Sequence, residues 1–262
     1  MTADALLVLI LIGFLVGGFG ALAGIGGGVI LAPLVALYYG VPMHQAIGVS
    51  LVSVIATSTA TSALYVEQHV TDIRLGMTLE LATTVGALIA ALMARYIDRR
   101  TLAVMFAIFL AYSSLSMVRK AWGSRSLVED KPVTDYTVRR YPLGLLASLI
   151  AGGFSGLLGI GGGPIKVPVM YLFMNVPLRV ATATSNFMIG VTAATSAVVF
   201  WGRGDVNLTM AAPLVAGVFA GSLLAARVKH RVREVYILIL LIVVTGWFSA
   251  QMFYKVFTGG FR

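Results

Sequence analysis

The chain has 262 residues and a mass of 27.7 kDa; 59% of its residues are hydrophobic, only 11% are charged, and its mean hydropathy is +0.95. Soluble domains carry about 25% charged residues, and one soluble core cannot absorb this much apolar side chain, so the composition excludes a soluble enzyme and a disordered chain. The net charge of +9 would suggest nucleic acid in a soluble protein, but the basic residues lie between apolar runs, as membrane loops do, and nucleic-acid binding is set aside. There are no cysteines.

In chain order, the first apolar run is Ala5–Ala23. It has no basic n-region, so it reads as a membrane helix and not as a signal peptide. It stops at Gly24-Ile25-Gly26-Gly27-Gly28. The short piece Val29–Tyr39, which contains Pro33, cannot cross about 30 Å of hydrocarbon, and predicts a broken or re-entrant helix. Spans are then expected near Ala46–Tyr65, Leu75–Tyr96 and Thr101–Val118. A polar stretch around Glu129, Asp130 and Lys131 follows, and the pattern restarts: Leu143–Leu158, the break Gly159–Gly163, a short piece Ile165–Met174 with Pro168, then Ala181–Trp201, Leu208–Ala226 and Val235–Phe257.

The restart is an internal repeat. Adding 135 to Gly24 gives Gly159, and at that shift Gly17–Gly28 lies on Gly152–Gly163, Pro33 on Pro168, Ser50 on Ser185 and Thr57 on Thr192. The expected fold is an all-α polytopic membrane protein of two homologous four-span halves, residues 1–118 and 142–262, joined by a polar linker at 119–141. Charge placement favours parallel halves with the termini outside, although the basic linker works against that orientation.

Duplicated halves with discontinuous helices are a transporter design, with the site at the breaks. Glycine lets a backbone or ligand approach closely, and free N–H groups at a helix start suit an anion. The candidate substrate donors are therefore Gly26, Gly27, Gly28, Gly161, Gly162 and Gly163, with Pro33 and Pro168 holding the short helices bent. Close helix packing competes with this for glycines at GxxxG spacing, and is favoured for Gly13, Gly17 and Gly217.

Lys166 is the only Lys or Arg inside an apolar segment other than Arg95 and Lys255 at segment ends, and Leu31 stands 135 residues earlier. A lysine at the membrane centre costs about 2.5–3.5 kcal/mol on insertion scales. It therefore calls for an anionic substrate or a carboxylate, unless it snorkels to the interface. Glu80 is the only acid well inside a span. It is a coupling candidate, for protons, or a partner for Lys166, or an interfacial residue. Ser50, Ser53, Thr57, Thr59 and Thr61 correspond to a second hydroxyl-rich set, Ser185, Asn186, Thr192, Thr195 and Ser196. Most of these are expected to bond within the helix bundle. Ser50, Ser185 and Asn186 are preferred as substrate ligands because they are expected to begin the helices after the breaks. Gly153-Phe154-Ser155-Gly156 has the form of an intramembrane protease motif, but such chemistry needs a histidine base, and His44, His69 and His230 fall at helix ends or loops. No catalytic residue, metal site or cofactor is expected.

The duplicated GIGGG and its following proline, over Leu7 to about Phe253, resemble the TauE/SafE sulfite exporter family. The resemblance implies a secondary transporter, an exporter, for a small sulfur-containing oxyanion such as sulfite or the sulfonate sulfoacetate. A passive anion channel, or an uptake carrier for another small anion, remains the alternative. It implies a multi-pass protein of a bacterial or archaeal plasma membrane, with the lipid bilayer and the anion as partners. Protons as the coupling ion and a homo-oligomer stay open. Carried over by position, it implicates Gly24–Gly28 with Pro33 and Gly159–Gly163 with Pro168.

Overall fold

The structure is a computed structural model that describes residues 3–123, 136–228 and 234–258. Every regular element among them is helical. In order these are α1 (Ala3–Ala23), α2 (Gly28–Tyr38), α3 (Met43–Glu67), α4 (Ile73–Met93) with a 3-10 turn at Ala94–Tyr96, α5 (Arg99–Gly123), α6 (Tyr141–Leu158), α7 (Gly163–Leu172), α8 (Leu178–Gly202), α9 (Leu208–Val228) and α10 (Glu234–Phe257). The expected residues Glu129–Lys131 and His230 lie outside the described residues.

Among the described residues six helices are long and apolar enough to cross a membrane, namely α1, α3, α4, α6, α8 and α9. α5 and α10 have 25 and 24 residues and pack on each other. Apolar side chains face outward on several of these helices, and Leu7, Leu81 and Val198 are each more than 60% exposed. In water that would be prohibitive; against acyl chains it costs nothing.

α1 packs along α9, α4 along α6, and α3 against α8, these last two being the most buried of the six spans. Glycines set the first two contacts. A Cβ on Gly17 would lie 2.4 Å from the Val218 carbonyl oxygen, and one on Gly152 would lie 2.0 Å from that of Thr83. A Cβ on Gly221 would meet the Phe14 carbonyl at 2.0 Å and one on Gly86 the Leu149 carbonyl at 2.1 Å. In each pair both partners shift by 135 residues. Gly13 and Gly217 likewise abut the Leu214 and Ile10 carbonyls, so these glycines serve close packing, as expected.

The helices after the breaks start earlier than apolarity suggests. Pro42 and Pro177 stand at the N-caps of α3 and α8, in extended conformation, which suits a residue just outside a helix. Ser50, Ser185 and Asn186 therefore do not begin these helices but lie about two turns inside them. Polar residues such as His44 and Arg179 in the first turn hid the true starts.

Candidate functional site

Each break uses glycine in the same way. Gly24, Gly26 and Gly27 have φ of 74°, 78° and 72°; Gly159, Gly161 and Gly162 have 70°, 77° and 75°. Side chains disfavour this left-handed region. The chain thereby leaves α1 at Ala23 and re-enters α2 at Gly28, and leaves α6 at Leu158 and re-enters α7 at Gly163. The first helical amides to be bonded are Ile30 and Leu31, both to the Gly27 carbonyl, and Ile165 and Lys166, both to that of Gly162. The amides before them stand outside the helical ladder. Pro33 and Pro168 lie inside α2 and α7.

The two breaks meet. A Cβ on Gly28 would come within 2.5 Å of the Gly159 carbonyl, and one on Gly163 within 2.9 Å of the Gly24 carbonyl. Val54 of α3 and Ile189 of α8 cover both turns: each has a methyl within 3.2 Å of where a Cβ would stand on Gly26 and on Gly161. The Ser50 hydroxyl donates to the carbonyls of Gly159 (2.9 Å) and Gly28 (3.3 Å). Its role is to tie the breaks together.

Ser185 and Asn186 differ from Ser50. Both are buried, and the Ser185 hydroxyl and both amide atoms of Asn186 have no hydrogen-bond partner. The Asn186 Nδ2 lies 3.7 Å from where a Cβ on Gly24 would stand, with Thr182 beside it. Buried polar groups without partners are rare and call for an explanation. Ser155 is also buried with its hydroxyl unpartnered. Among the described residues no histidine bonds it, and His44 instead bonds the Ala94 carbonyl at 3.1 Å.

Lys166 and Glu80 are brought together. The Lys166 side chain is fully enclosed, and its Nζ donates to Glu80 Oε2 at 3.2 Å. Neither charged head group reaches the protein surface, since the Lys166 side chain has no exposure and that of Glu80 only 7%. Nζ also donates to Thr192 Oγ1 at 3.2 Å, and the Thr192 hydroxyl donates to Glu80 Oε1 at 2.5 Å. The three side chains form a closed ring joining α7, α4 and α8. Thr84, one turn after Glu80, donates to the same Oε1 at 3.3 Å. The sequence did not single out Thr192, because the repeat gives the same residue at Thr57, whose hydroxyl bonds the Ser53 carbonyl. Leu31 and Val215 stand 135 residues from Lys166 and Glu80, so the charged ring has no counterpart at the matched positions.

At the start of α4, Asp72 caps the helix by accepting from the Leu75 amide at 2.9 Å. The Tyr136 hydroxyl donates to Asp72 at 2.6 Å. Burial, and then this bond, push the Tyr136 hydroxyl above its ordinary pKa. No group of three His, Cys, Asp or Glu residues that could hold a metal occurs among the described residues.

The family profile described as "Sulfite exporter TauE/SafE" matches residues 9–252. The chain belongs to the TauE/SafE family. Its relatives include the probable membrane transporter protein YunE of Bacillus subtilis, 28% identical over 95% of this chain and 97% of the relative. A probable membrane transporter protein of Xylella fastidiosa is 28% identical over 93% and 95%. The Methanocaldococcus jannaschii protein MJ0441, also a probable membrane transporter, is 30% identical over 71% and 68%. No solved structure is a significant match. This TauE/SafE protein is thus a multi-pass membrane transporter.

Proposed function

We propose that this TauE/SafE protein is a secondary transporter that exports a small sulfur-containing oxyanion, sulfite or a sulfonate such as sulfoacetate, by alternating access between two homologous halves. The observation that carries this is Lys166: an enclosed cation one turn after a glycine break, neutralised by a single carboxylate. A buried charge of this kind is a functional residue by default in a membrane protein. The unpartnered Asn186 amide and Ser185 hydroxyl support the reading, since an oxyanion accepts hydrogen bonds from such donors without the desolvation cost of further charges. The amides of Gly161, Gly162 and Gly163 at the start of α7 add backbone donors and a favourable helix dipole. The Gly27 and Gly28 amides would do the same from α2, whereas the Gly26 amide already donates to the Gly20 carbonyl at 3.4 Å. Ser50 contributes by fixing the breaks against each other.

The 135-residue spacing of the contacting glycines supports the two-half reading. The Val54 and Ile189 pair at the meeting of the breaks supplies a plug that rocking of the halves would open. Glu80 is the candidate coupling group, with the proton as coupling ion. An uptake screen in proteoliposomes over sulfite, sulfoacetate, sulfolactate, thiosulfate and sulfate tests the substrate class. Saturable flux of a sulfur oxyanion that falls in Lys166→Ala is expected; unchanged flux in that variant would remove the electrostatic argument. A passive anion channel would use similar donors, and exchange kinetics separate it from a carrier.

A further inference from the structure

We infer that the Glu80 carboxylate is the resident counterion of Lys166 that an incoming anion displaces, so that each anion bound at Lys166 brings one proton onto Glu80. This rests on the transport reading above and deepens it.

The ring geometry carries the argument. Lys166 Nζ is shared between Glu80 Oε2 and Thr192 Oγ1, both at 3.2 Å, and its side chain has no exposure. An anion reaching Nζ must therefore take the place of Glu80 Oε2. Among the described residues Glu80 has no second cation to turn to. α4 packs against α6, α8 and the 3-10 turn after it. α6 carries only Tyr141, its first residue; α8 carries only Arg179, in its first turn; the turn carries Arg95 and Tyr96 at the far end of α4; α7 offers Lys166 and Tyr171; and Arg203 contacts α4 at Ala91 and Leu92. Arg74, on α4 itself, is exposed. A buried carboxylate that loses its only cation takes up a proton in preference to staying charged.

Thr192 is built for the exchange. Its hydroxyl donates to Glu80 Oε1 at 2.5 Å and lies 3.3 Å from the Met188 carbonyl of its own helix. When Glu80 is protonated, the new O–H donates along the same line to Thr192 Oγ1, and the Thr192 hydrogen turns to Met188. Glu80 Oε1 and the Thr192 hydroxyl thus stay hydrogen-bonded in both states. The balance is simple. One O–H bond forms on Glu80 with a proton from water, and a monovalent anion pairs with Lys166. The site is neutral before (Lys⁺, Glu⁻) and after (Lys⁺, anion, neutral Glu). On release the proton and the anion leave together. Because Leu31 and Val215 occupy the matched positions, the chain has one such ring there and not two.

The test uses the full chain in proteoliposomes with two probes, methanesulfonate, a monoanion that carries no proton of its own, and sulfite. Lumenal pH and membrane potential are read together. With the natural sequence, methanesulfonate entry is expected to acidify the lumen by one proton per anion without building a potential; sulfite is expected to acidify it beyond its own titration. In Glu80→Gln, which mimics the protonated carboxyl, entry is expected to lose its acidification and to generate a negative potential. The Lys166→Leu/Glu80→Val double variant, which places the matched residues of the other half, guards against loss of fold and is expected to move neither ion. Anion entry without acidification in the natural protein would overturn the inference while leaving the transport reading intact, as would coupled flux in the double variant. No entry of either probe would contradict the transport reading itself and the inference with it.

Discussion

The Ser50 hydroxyl on α3 donates to the carbonyl of Gly159 at 2.9 Å, so a helix that follows the first break holds the backbone of the second. Its counterpart Ser185 is equally buried yet bonds to nothing. The same residue type at matched positions thus does structural work on one side and leaves a free donor on the other.

This contrast gives a first prediction. Ser50→Ala should destabilise the protein by about 1–3 kcal/mol, because it strips a buried donor from two carbonyls. Ser185→Ala removes a buried hydroxyl that has no partner, so it should not destabilise the protein, and it should weaken substrate binding. Thermal unfolding in detergent and anion binding, measured on the same two variants, check both halves of the statement.

Neighbouring glycines on α6 give a second. A Cβ on Gly152 would stand 2.0 Å from the Thr83 carbonyl, whereas a Cβ on Gly153 meets nothing within 4 Å. Gly152→Ala forces α4 and α6 apart and should cost about 1–3 kcal/mol or more. Gly153→Ala should be neutral or stabilising by up to about 1 kcal/mol through helix propensity. Unfolding midpoints of the two variants decide this; equal midpoints would contradict the packing role.

The ion pair gives a third. Lys166→Leu alone strands a buried carboxylate and should destabilise by about 3–5 kcal/mol unless Glu80 protonates. Adding Glu80→Val should recover much of that loss. A double-mutant cycle measures the coupling, and additive effects would mean that the 3.2 Å contact carries no energy.

A fourth concerns pH. The Tyr136 hydroxyl is raised by burial and by the bond it donates to Asp72. The folded protein therefore holds this proton more tightly than the unfolded chain, in which tyrosine titrates at about 10. Its contribution to stability is present below that pH and is lost as pH rises from there through the folded value. Stability curves should show an alkaline fall that Tyr136→Phe reduces.

Much of this architecture was legible in the sequence. The break pieces Val29–Tyr39 and Ile165–Met174 correspond to α2 (Gly28–Tyr38) and α7 (Gly163–Leu172) within two residues, because a glycine run at positive φ marks a helix stop independently of what packs around it. Lys166 and Glu80 stood out because charge is so scarce. What was not legible depends on contact between distant segments. Thr192 resembles Thr57 in sequence and differs only in facing Glu80. Ser50 and Ser185 match in sequence and differ only in what lies opposite their hydroxyls. The starts of α3 and α8 were missed because the prolines at their N-caps precede polar first turns, which hydropathy counts as loop.

The central claim is that a sulfur oxyanion moves through this protein by alternating access, and counterflow tests it most directly. Proteoliposomes are loaded with unlabelled sulfite, and entry of labelled sulfite is followed. Transient accumulation of label above equilibrium, driven by exchange and abolished in Lys166→Ala, is expected. Absence of trans-stimulation together with large unitary anion currents would contradict it.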